Sequence, residues 1–119
     1  EVNGDKGIGL QLITSGEINA AKEAINTKEG NIIVFGESVT GVKVDGTTTT
    51  FTNDGTITLK EGTTKGTGIS VVRGTATNNG TIALGLGTEN TSGNIAIKNA
   101  NGTAKNTGKI KITGHGVFE

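Results

Sequence analysis

Few residues of this chain are of a type that could do chemistry, and they lie far apart in the sequence. His115 is the only histidine; it stands in a Gly-His-Gly turn, and no Cys, second His or suitably spaced Ser accompanies it to form a triad or a metal site. We interpret it as an exposed turn residue. Glycoside chemistry and metal clusters both need carboxylates gathered on one face. Here they fall in different turns, at Asp45, Asp54, Glu61 and Glu89. The sequence therefore predicts no catalytic residue, no metal site and no cofactor.

The composition narrows the class of protein. Eleven basic and eleven acidic residues give a net charge of zero. The chain therefore lacks the excess of positive charge that is typical of a nucleic-acid binder. It also has no polybasic patch that could bind anionic lipid. Cys is absent, so neither disulfides nor thiolate chemistry is available. No apolar run is long enough to span a membrane. The chain begins without Met or a signal peptide, and we expect it to be a processed or excised piece.

Small and β-branched residues predict a thin core. The 119 residues include 21 Gly, 21 Thr and only three Phe, with no Trp or Tyr. Such a chain cannot fill a wide interior, although Ile, Val, Leu and Ala suit strands that stack closely. A Gly- and Thr-rich composition is also typical of disorder. The regular spacing of the aliphatic residues favours a folded chain instead.

An Asn recurs along the chain at intervals of 23 to 28 residues, at Asn3, Asn26, Asn53, Asn78 and Asn106. The last three open the same phrase, Asn-x-Gly-x-Ile-x-aliphatic. After Asn26 two extra residues precede Gly30, which we interpret as a local bulge. The first occurrence is looser, and Gly7-Ile-Gly-Leu10 fits it in spacing but not in alternation. Repeats of this period indicate stacked supersecondary units.

Each repeat contains two further short strands with period-2 alternation. One is represented by 41–44, 68–71 and 93–97, and the other by 24–26, 51–53, 76–78 and 104–106. A three-sided coil of about 25 residues would close on itself and advance about 4.8 Å, the spacing of neighbouring strands. We therefore predict an all-β parallel β-helix, a three-sided β-solenoid, of four to five coils of 23–28 residues. Residues 1–119 would form one such segment.

Stacking places matching residues of successive coils above one another. We predict an Asn ladder in which side-chain amides bond along the axis, and two interior aliphatic columns. The ladder comprises Asn26, Asn53, Asn78 and Asn106; one column comprises Ile32, Ile57, Ile82 and Ile110, and the other Val34, Leu59, Leu84 and Ile112. Asp45 and Arg73 both precede a Gly and would lie one coil apart as an exposed ion pair, which contributes little stability. Residues 17–26 fit either a short helix or strands, and this alternative stays open.

The Asn-x-Gly-x-Ile-x-aliphatic phrase, followed by a Gly-Ile-x-Val strand, resembles the passenger regions of autotransporters over residues 26–114. These are type V secreted proteins of Gram-negative bacteria. The resemblance implies a right-handed coil, a fragment of a longer passenger, an extracellular or cell-surface location and an adhesive role. The partner would be a host-cell protein or glycan, or a neighbouring bacterial surface, with no direct membrane insertion.

Three function hypotheses follow from the sequence. The first is a structural and adhesive segment that displays variable loops, at 35–40, 60–67, 85–92 and 98–101, on a rigid rod. The second is a filament subunit that self-associates through open coil ends, because unpaired strand edges template pairing with another chain. The third is a polysaccharide-active β-helix enzyme, for which the scattered carboxylates give little support.

Overall fold

The computed structural model describes residues 1–13, 22–86 and 93–114. Over these ranges the chain is all-β and contains no helix. The strands are β1 (Val2–Asn3), β2 (Ile8–Ile13), β3 (Lys22–Asn26), β4 (Asn31–Phe35), β5 (Thr40–Asn53), β6 (Thr56–Leu59), β7 (Thr67–Asn78), β8 (Thr81–Leu86), β9 (Ile95–Asn99), β10 (Thr103–Asn106) and β11 (Lys109–Gly114).

The strands form two parallel sheets. Sheet A has the order β1-β4-β6-β8-β11, and sheet B has the order β10-β7-β5-β2, with β3 also pairing with β5 and β9 with β7. Neighbouring strands in each sheet come from successive repeats of the sequence, so the chain winds once around between one strand and the next. The prediction of an all-β solenoid is confirmed, and it makes about three turns.

Register in sheet A follows the repeated phrase. Ile32 is the partner of Ile57, Ile57 of Ile82 and Ile82 of Ile110, so a side chain of the same type recurs at each level. Period-2 alternation then turns these residues to the same face of every strand. In β6 the alternation is complete, because Ile57 and Leu59 are buried while Thr56 and Thr58, which alternate with them, are half-buried.

In the middle repeats, the expectation of two separate short strands is wrong. Residues 41–44 and 51–53 belong to one strand, β5, and their counterparts in the next repeat belong to β7. The ladder between these strands shifts register, since Asp45 pairs with Arg73 and Thr50 already pairs with Thr75. Gly74 alone therefore lies opposite the four residues 46–49. It has a φ of 101°, a left-handed conformation that favours glycine, and backbone pairing continues around this corner.

The first repeat also differs from expectation. Asn3 is not a member of the Asn column, because it pairs with Phe35 in sheet A and its amide donates to the Glu1 carboxylate. The sequence 7–10 was matched to the strand that follows each repeated Asn, which lies in sheet A. Ile8–Leu10 belong instead to β2 of sheet B, where Leu10 pairs with Val42. Of the segment left open between helix and strand, Lys22–Asn26 is strand β3, and residues 17–21 lie outside the described residues.

The core lies between the two sheets, and the inward aliphatic residues of both sheets pack against one another in it. Ile57, Ile82, Val34 and Leu59 are fully buried, and Leu84 is 6% exposed. The interior prediction is wrong for Ile110 and Ile112, which continue the columns in register but are 44% and 47% exposed. They belong to β11, the last strand of sheet A, so only one side of each is covered.

Candidate functional site

The most regular polar feature of the molecule is the Asn ladder, Asn26–Asn53–Asn78–Asn106. The Nδ2 of Asn26 donates to the Oδ1 of Asn53 over 2.8 Å, Asn53 donates likewise to Asn78 over 2.7 Å, and Asn78 to Asn106 over 2.8 Å. Every bond points the same way along the stack. The column therefore presents an amide oxygen at Asn26 and an amide NH₂ at Asn106, at opposite ends.

The amides of Asn26, Asn53 and Asn78 also donate to backbone carbonyls, in their own turn and in the next coil. Asn53 Nδ2 lies 3.2 Å from the carbonyl oxygen of Gly55 in its own turn and 3.3 Å from that of Thr81 in the next coil. Asn53 and Asn78 are fully buried. Buried amides with this many partners stabilise the turn, and a hydrophobic side chain could not replace them.

A second polar ladder, absent from the sequence predictions, runs outside the first. It consists of the residues directly after the ladder asparagines. Asn79 Nδ2 donates to the Asp54 carboxylate over 3.0 Å, and the Thr107 hydroxyl donates to the Asn79 Oδ1 over 2.6 Å. The type of residue varies from coil to coil, so no repeated letter marks this ladder in the sequence.

The loops that lead from sheet A into sheet B form a bonded stack of their own, which we call the loop edge (residues 4–7, 36–39, 60–66 and 93–94). Ser38 N–H donates to the Thr64 carbonyl over 2.8 Å, and Glu37 and Thr64 form an isolated parallel bridge. Asn94 links the next loop to residues 60–66, because its Nδ2 donates to the Thr63 carbonyl and its Oδ1 accepts from the Gly66 N–H. The loops 35–40 and 60–67, which were predicted to be variable, are thus hydrogen-bonded to each other.

One left-handed backbone position recurs at every level of the loop edge. Lys6, Ser38, Lys65 and Gly93 have φ values of 61°, 58°, 54° and 56°. Each stands two residues before a strand of sheet B, and those strands are in register with one another. Three of the four are not glycine, so their backbone conformation is less favourable than it would be for glycine. Their side chains differ in type, which hides the equivalence from sequence reasoning.

The loop edge exposes charged and aromatic side chains. Phe35 is 39% exposed, and the Lys60 Nζ lies 6.0 Å from the centre of its ring. Lys60 also lies 3.7 Å from a carboxylate oxygen of Glu1, while Lys65 and Glu37 approach to 4.0 Å. We call Phe35, Lys60 and Glu1 the aromatic patch.

The surroundings of Glu1, whose side chain is 42% exposed, lower the pKa of its carboxyl group from the ordinary value. The largest cause is the hydrogen bond from the Asn3 side chain, followed by the positive charge of Lys60. Both favour the ionised form. The carboxylate is therefore charged at neutral pH and offers hydrogen-bond acceptors beside the Phe35 ring.

Asp45 and Arg73 lie one coil apart, as the spacing indicated. The Arg73 Nε donates to the Asp45 Oδ1 over 2.9 Å, and an Nη of the same guanidinium lies 2.9 Å from that oxygen. The arginine side chain is 51% exposed and that of Asp45 is 22% exposed. This pair links the two strands at the corner where the register of β5 and β7 shifts.

The candidate chemical residues are not brought together within the part of the chain that the structure describes. Asp45 lies in β5, Asp54 in the turn that follows it and Glu61 in the loop edge, and no group of three or more His, Cys, Asp or Glu could hold a metal ion there. His115 and Glu89 lie outside the described ranges. No helix of the described residues is long and apolar enough to cross a membrane.

Comparison of the chain with protein-family models, with curated protein sequences and with solved structures found no match.

Proposed function

We propose that this chain is an adhesive segment of a bacterial cell-surface protein related to autotransporter passengers, located outside the cell. In this proposal the solenoid is right-handed and three-sided, with four to five coils of 23–28 residues, and belongs to a longer passenger. The resemblance of the repeated phrase supports the family. The absence of Cys agrees with export in an unfolded state. The proposal assigns no catalytic activity to the chain.

The observation that carries the proposal is the loop edge. Its backbone is bonded from coil to coil, while exposed side chains project from it, among them Phe35, Lys60 and Glu37. A rigid frame lowers the entropy lost when a partner binds. Aromatic side chains are also frequent anchors of recognition surfaces. The aromatic patch is therefore the expected contact for a host-cell protein or glycan, or for a neighbouring bacterial surface.

A binding experiment with a matched control tests this role. The purified chain would be applied to host-cell surfaces and to glycan and host-protein arrays, as the wild type and as a Phe35→Ser/Lys60→Ser double variant. The control is Ile25→Ser/Lys28→Ser, which also replaces an exposed apolar residue and a lysine, but outside the loop edge; Ile25 is 53% exposed. We expect the first variant to lose about tenfold or more in affinity and the control to bind like the wild type. Binding that survives the Phe35/Lys60 change would show that the loop edge acts only as a spacer.

A further inference from the structure

Three Asn-Gly pairs occur in the chain, at residues 3–4, 79–80 and 101–102. In this dipeptide an asparagine loses its side-chain ammonia most readily, because glycine has no Cβ to hinder attack by its own backbone nitrogen. All three asparagines are exposed. Access to water therefore does not distinguish them, and a difference in reactivity must come from the hydrogen bonds that hold each pair.

The pair Asn79–Gly80 is held from both neighbouring coils. The backbone N–H groups of Asn79 and Gly80 both donate to the Asn53 carbonyl, over 2.8 and 2.9 Å. The Asn79 side chain is bonded on one side to Asp54 and on the other to Thr107. Attack on the side-chain carbon would have to break several of these bonds, because that carbon must swing onto the Gly80 nitrogen. The reaction there requires local opening of the coil.

The pair Asn101–Gly102 is held much less firmly. The Asn101 N–H donates to the Val72 carbonyl over 3.0 Å, but its side-chain amide has no hydrogen bond to another residue that the structure describes. The Gly102 N–H donates to the Oδ1 of Asn99 over 2.9 Å, and the Asn99 amide donates back to the Gly102 carbonyl over 3.0 Å. Asn99 is itself exposed. Rotation of one surface side chain therefore frees the attacking nitrogen.

The exposure of Asn101 follows from its place on a corner of the coil. The pairings of β9 and β10 with β7 place Asn101 beside Arg73, which in turn pairs with Asp45. Arg73 has a coil on either side of it, and its side chain is still 51% exposed. The side chain at this corner position thus reaches solvent whether or not a further coil follows.

From these observations we propose that Asn101 is a site of self-modification. It converts to a carboxylate in the folded protein, whereas Asn79, in the same dipeptide, is protected. The inference is independent of the adhesive role, since the reaction needs only water.

The reaction proceeds through a cyclic imide. The Gly102 backbone nitrogen gives up its proton and bonds to the Asn101 side-chain carbonyl carbon, and the side-chain nitrogen takes up a proton and leaves as ammonia. Water then adds to either carbonyl of the resulting succinimide ring, the bond from that carbon to the ring nitrogen breaks, and the nitrogen regains a proton. The product is aspartate, or isoaspartate in which the main chain runs through the former side-chain carbon. The net change exchanges an amide for a carboxylate and adds a negative charge.

The two positions differ in how they receive that charge. A carboxylate at position 101 would lie beside Arg73 and extend the Asp45–Arg73 pair by one coil. It would also be the first acid in residues 93–114, which contain four lysines and neither Asp nor Glu. A carboxylate at position 79 would instead face Asp54, to which the Asn79 amide now donates. Opposite charges attract and like charges repel at such distances, so the fold accommodates the product only at the first position.

Peptide mapping by mass spectrometry tests the selectivity on the full chain. Trypsin cleaves after Arg73, Lys98 and Lys105, which places the two sites in separate peptides, 74–98 and 99–105, and fragment ions assign the modified residue. In the folded chain at neutral pH we expect Asn101 to deamidate at least about tenfold faster than Asn79, because Asn79 reacts only after local opening. In urea the two rates should become similar, because only the dipeptide remains.

Asn101→Gln is the matched variant, which should keep the fold and lose the mass increase of peptide 99–105. Equal rates at Asn101 and Asn79 in the folded chain would overturn the proposal. So would an Asn101 whose rate rises on unfolding as much as that of Asn79, or a mass increase that persists in Asn101→Gln.

Urea unfolding of two substitutions tests how the product is received. Asn101→Asp should unfold at a urea concentration no lower than that of the wild type, and Asn79→Asp at a lower one. The difference should shrink at about 500 mM salt, because both positions are exposed and their charges are screened. Equal midpoints for the two variants at low salt would show that Arg73 does not accommodate the carboxylate. None of these results bears on adhesion, which is measured with the separate host surfaces.

Discussion

At the scale of single residues, the molecule places amide side chains where most proteins place hydrocarbon. Asn53 and Asn78 are fully buried beside fully buried aliphatic residues. Their amides are accommodated because each donates both along the stack and to turn carbonyls. A buried polar group is costly only when its partners are missing.

Replacing Asn53 by Ala should therefore lower the free energy of unfolding by about 2–4 kcal/mol, since its four side-chain hydrogen bonds are lost and the amide of Asn26 and the oxygen of Asn78 each lose a partner. Urea denaturation followed by far-ultraviolet circular dichroism measures the change. Asn79→Ala, in the exposed outer ladder, serves as control and should lose less than about 1 kcal/mol. Equal losses for the two variants would mean that the inner ladder has no special role.

Thr63 shows the opposite situation. Its side chain is fully buried, and its hydroxyl oxygen has no hydrogen-bond partner among the residues that the structure describes. An unsatisfied buried hydroxyl is unfavourable by about 1–3 kcal/mol. Thr63→Val keeps the shape and should raise the free energy of unfolding by about 1 kcal/mol, whereas Thr77→Val, on a half-buried outward position of β7, should change it little. A clear loss of stability in Thr63→Val would indicate that the hydroxyl has a partner in solution.

At the scale of elements, glycine determines how closely sheet B approaches sheet A. Gly41 and Gly68 are the same position of successive coils, in β5 and β7. A Cβ at Gly68 would lie 2.9 Å from the Ile82 Cγ2 and 2.5 Å from the Ala96 carbonyl oxygen. The glycines thus leave room for the isoleucine column on one side and for the next strand on the other. Ala96 occupies the equivalent position in β9. Among the described strands, β9 pairs only with β7.

Gly68→Ala should destabilise the fold by about 1–3 kcal/mol through overpacking. Adding Ile82→Leu, which removes the Cγ2 methyl, should not restore the stability, because the closer contact is with the Ala96 backbone oxygen, which cannot move without breaking strand pairing. Thermal and urea unfolding of the single and double variants test this. Recovery in the double variant would show that side-chain crowding alone sets the sheet spacing.

At the scale of the whole molecule, stability depends on the level of the stack at which a residue lies. Each coil covers its neighbours, so interior levels are buried from both sides and end levels from one. Ile57 and Ile110 belong to one column and are in register through Ile82, yet the first is fully buried and the second is 44% exposed.

Ile57→Ala should therefore lower the free energy of unfolding by about 3–4 kcal/mol and Ile110→Ala by about 1 kcal/mol or less. Both would be measured by urea unfolding at low protein concentration, where the chain is expected to be monomeric. The same loss at both positions in the dilute monomer would contradict the stacked column.

Much of this architecture could be read from local sequence. The recurrence of Asn-x-Gly-x-Ile-x-aliphatic sets the repeat length, the inward positions of β6 and β8 and the Asn that begins each turn, because identical positions in a solenoid have identical neighbours.

Other features depend on which coils are neighbours and could not be read in this way. The place of Asn3, the merging of two expected strands into β5 and the left-handed positions at Ser38 and Lys65 were all missed. The left-handed backbone position recurs in every loop, but the residue type at it changes. No repeated residue in the sequence therefore reveals it. The sequence by itself determined the period, the strand phrase and the thin aliphatic core, because these follow from local alternation and side-chain size. Only the tertiary structure decided the register of the first coil, the bonded loop edge and the exposure of Ile110 and Ile112, because each depends on what lies one level above or below.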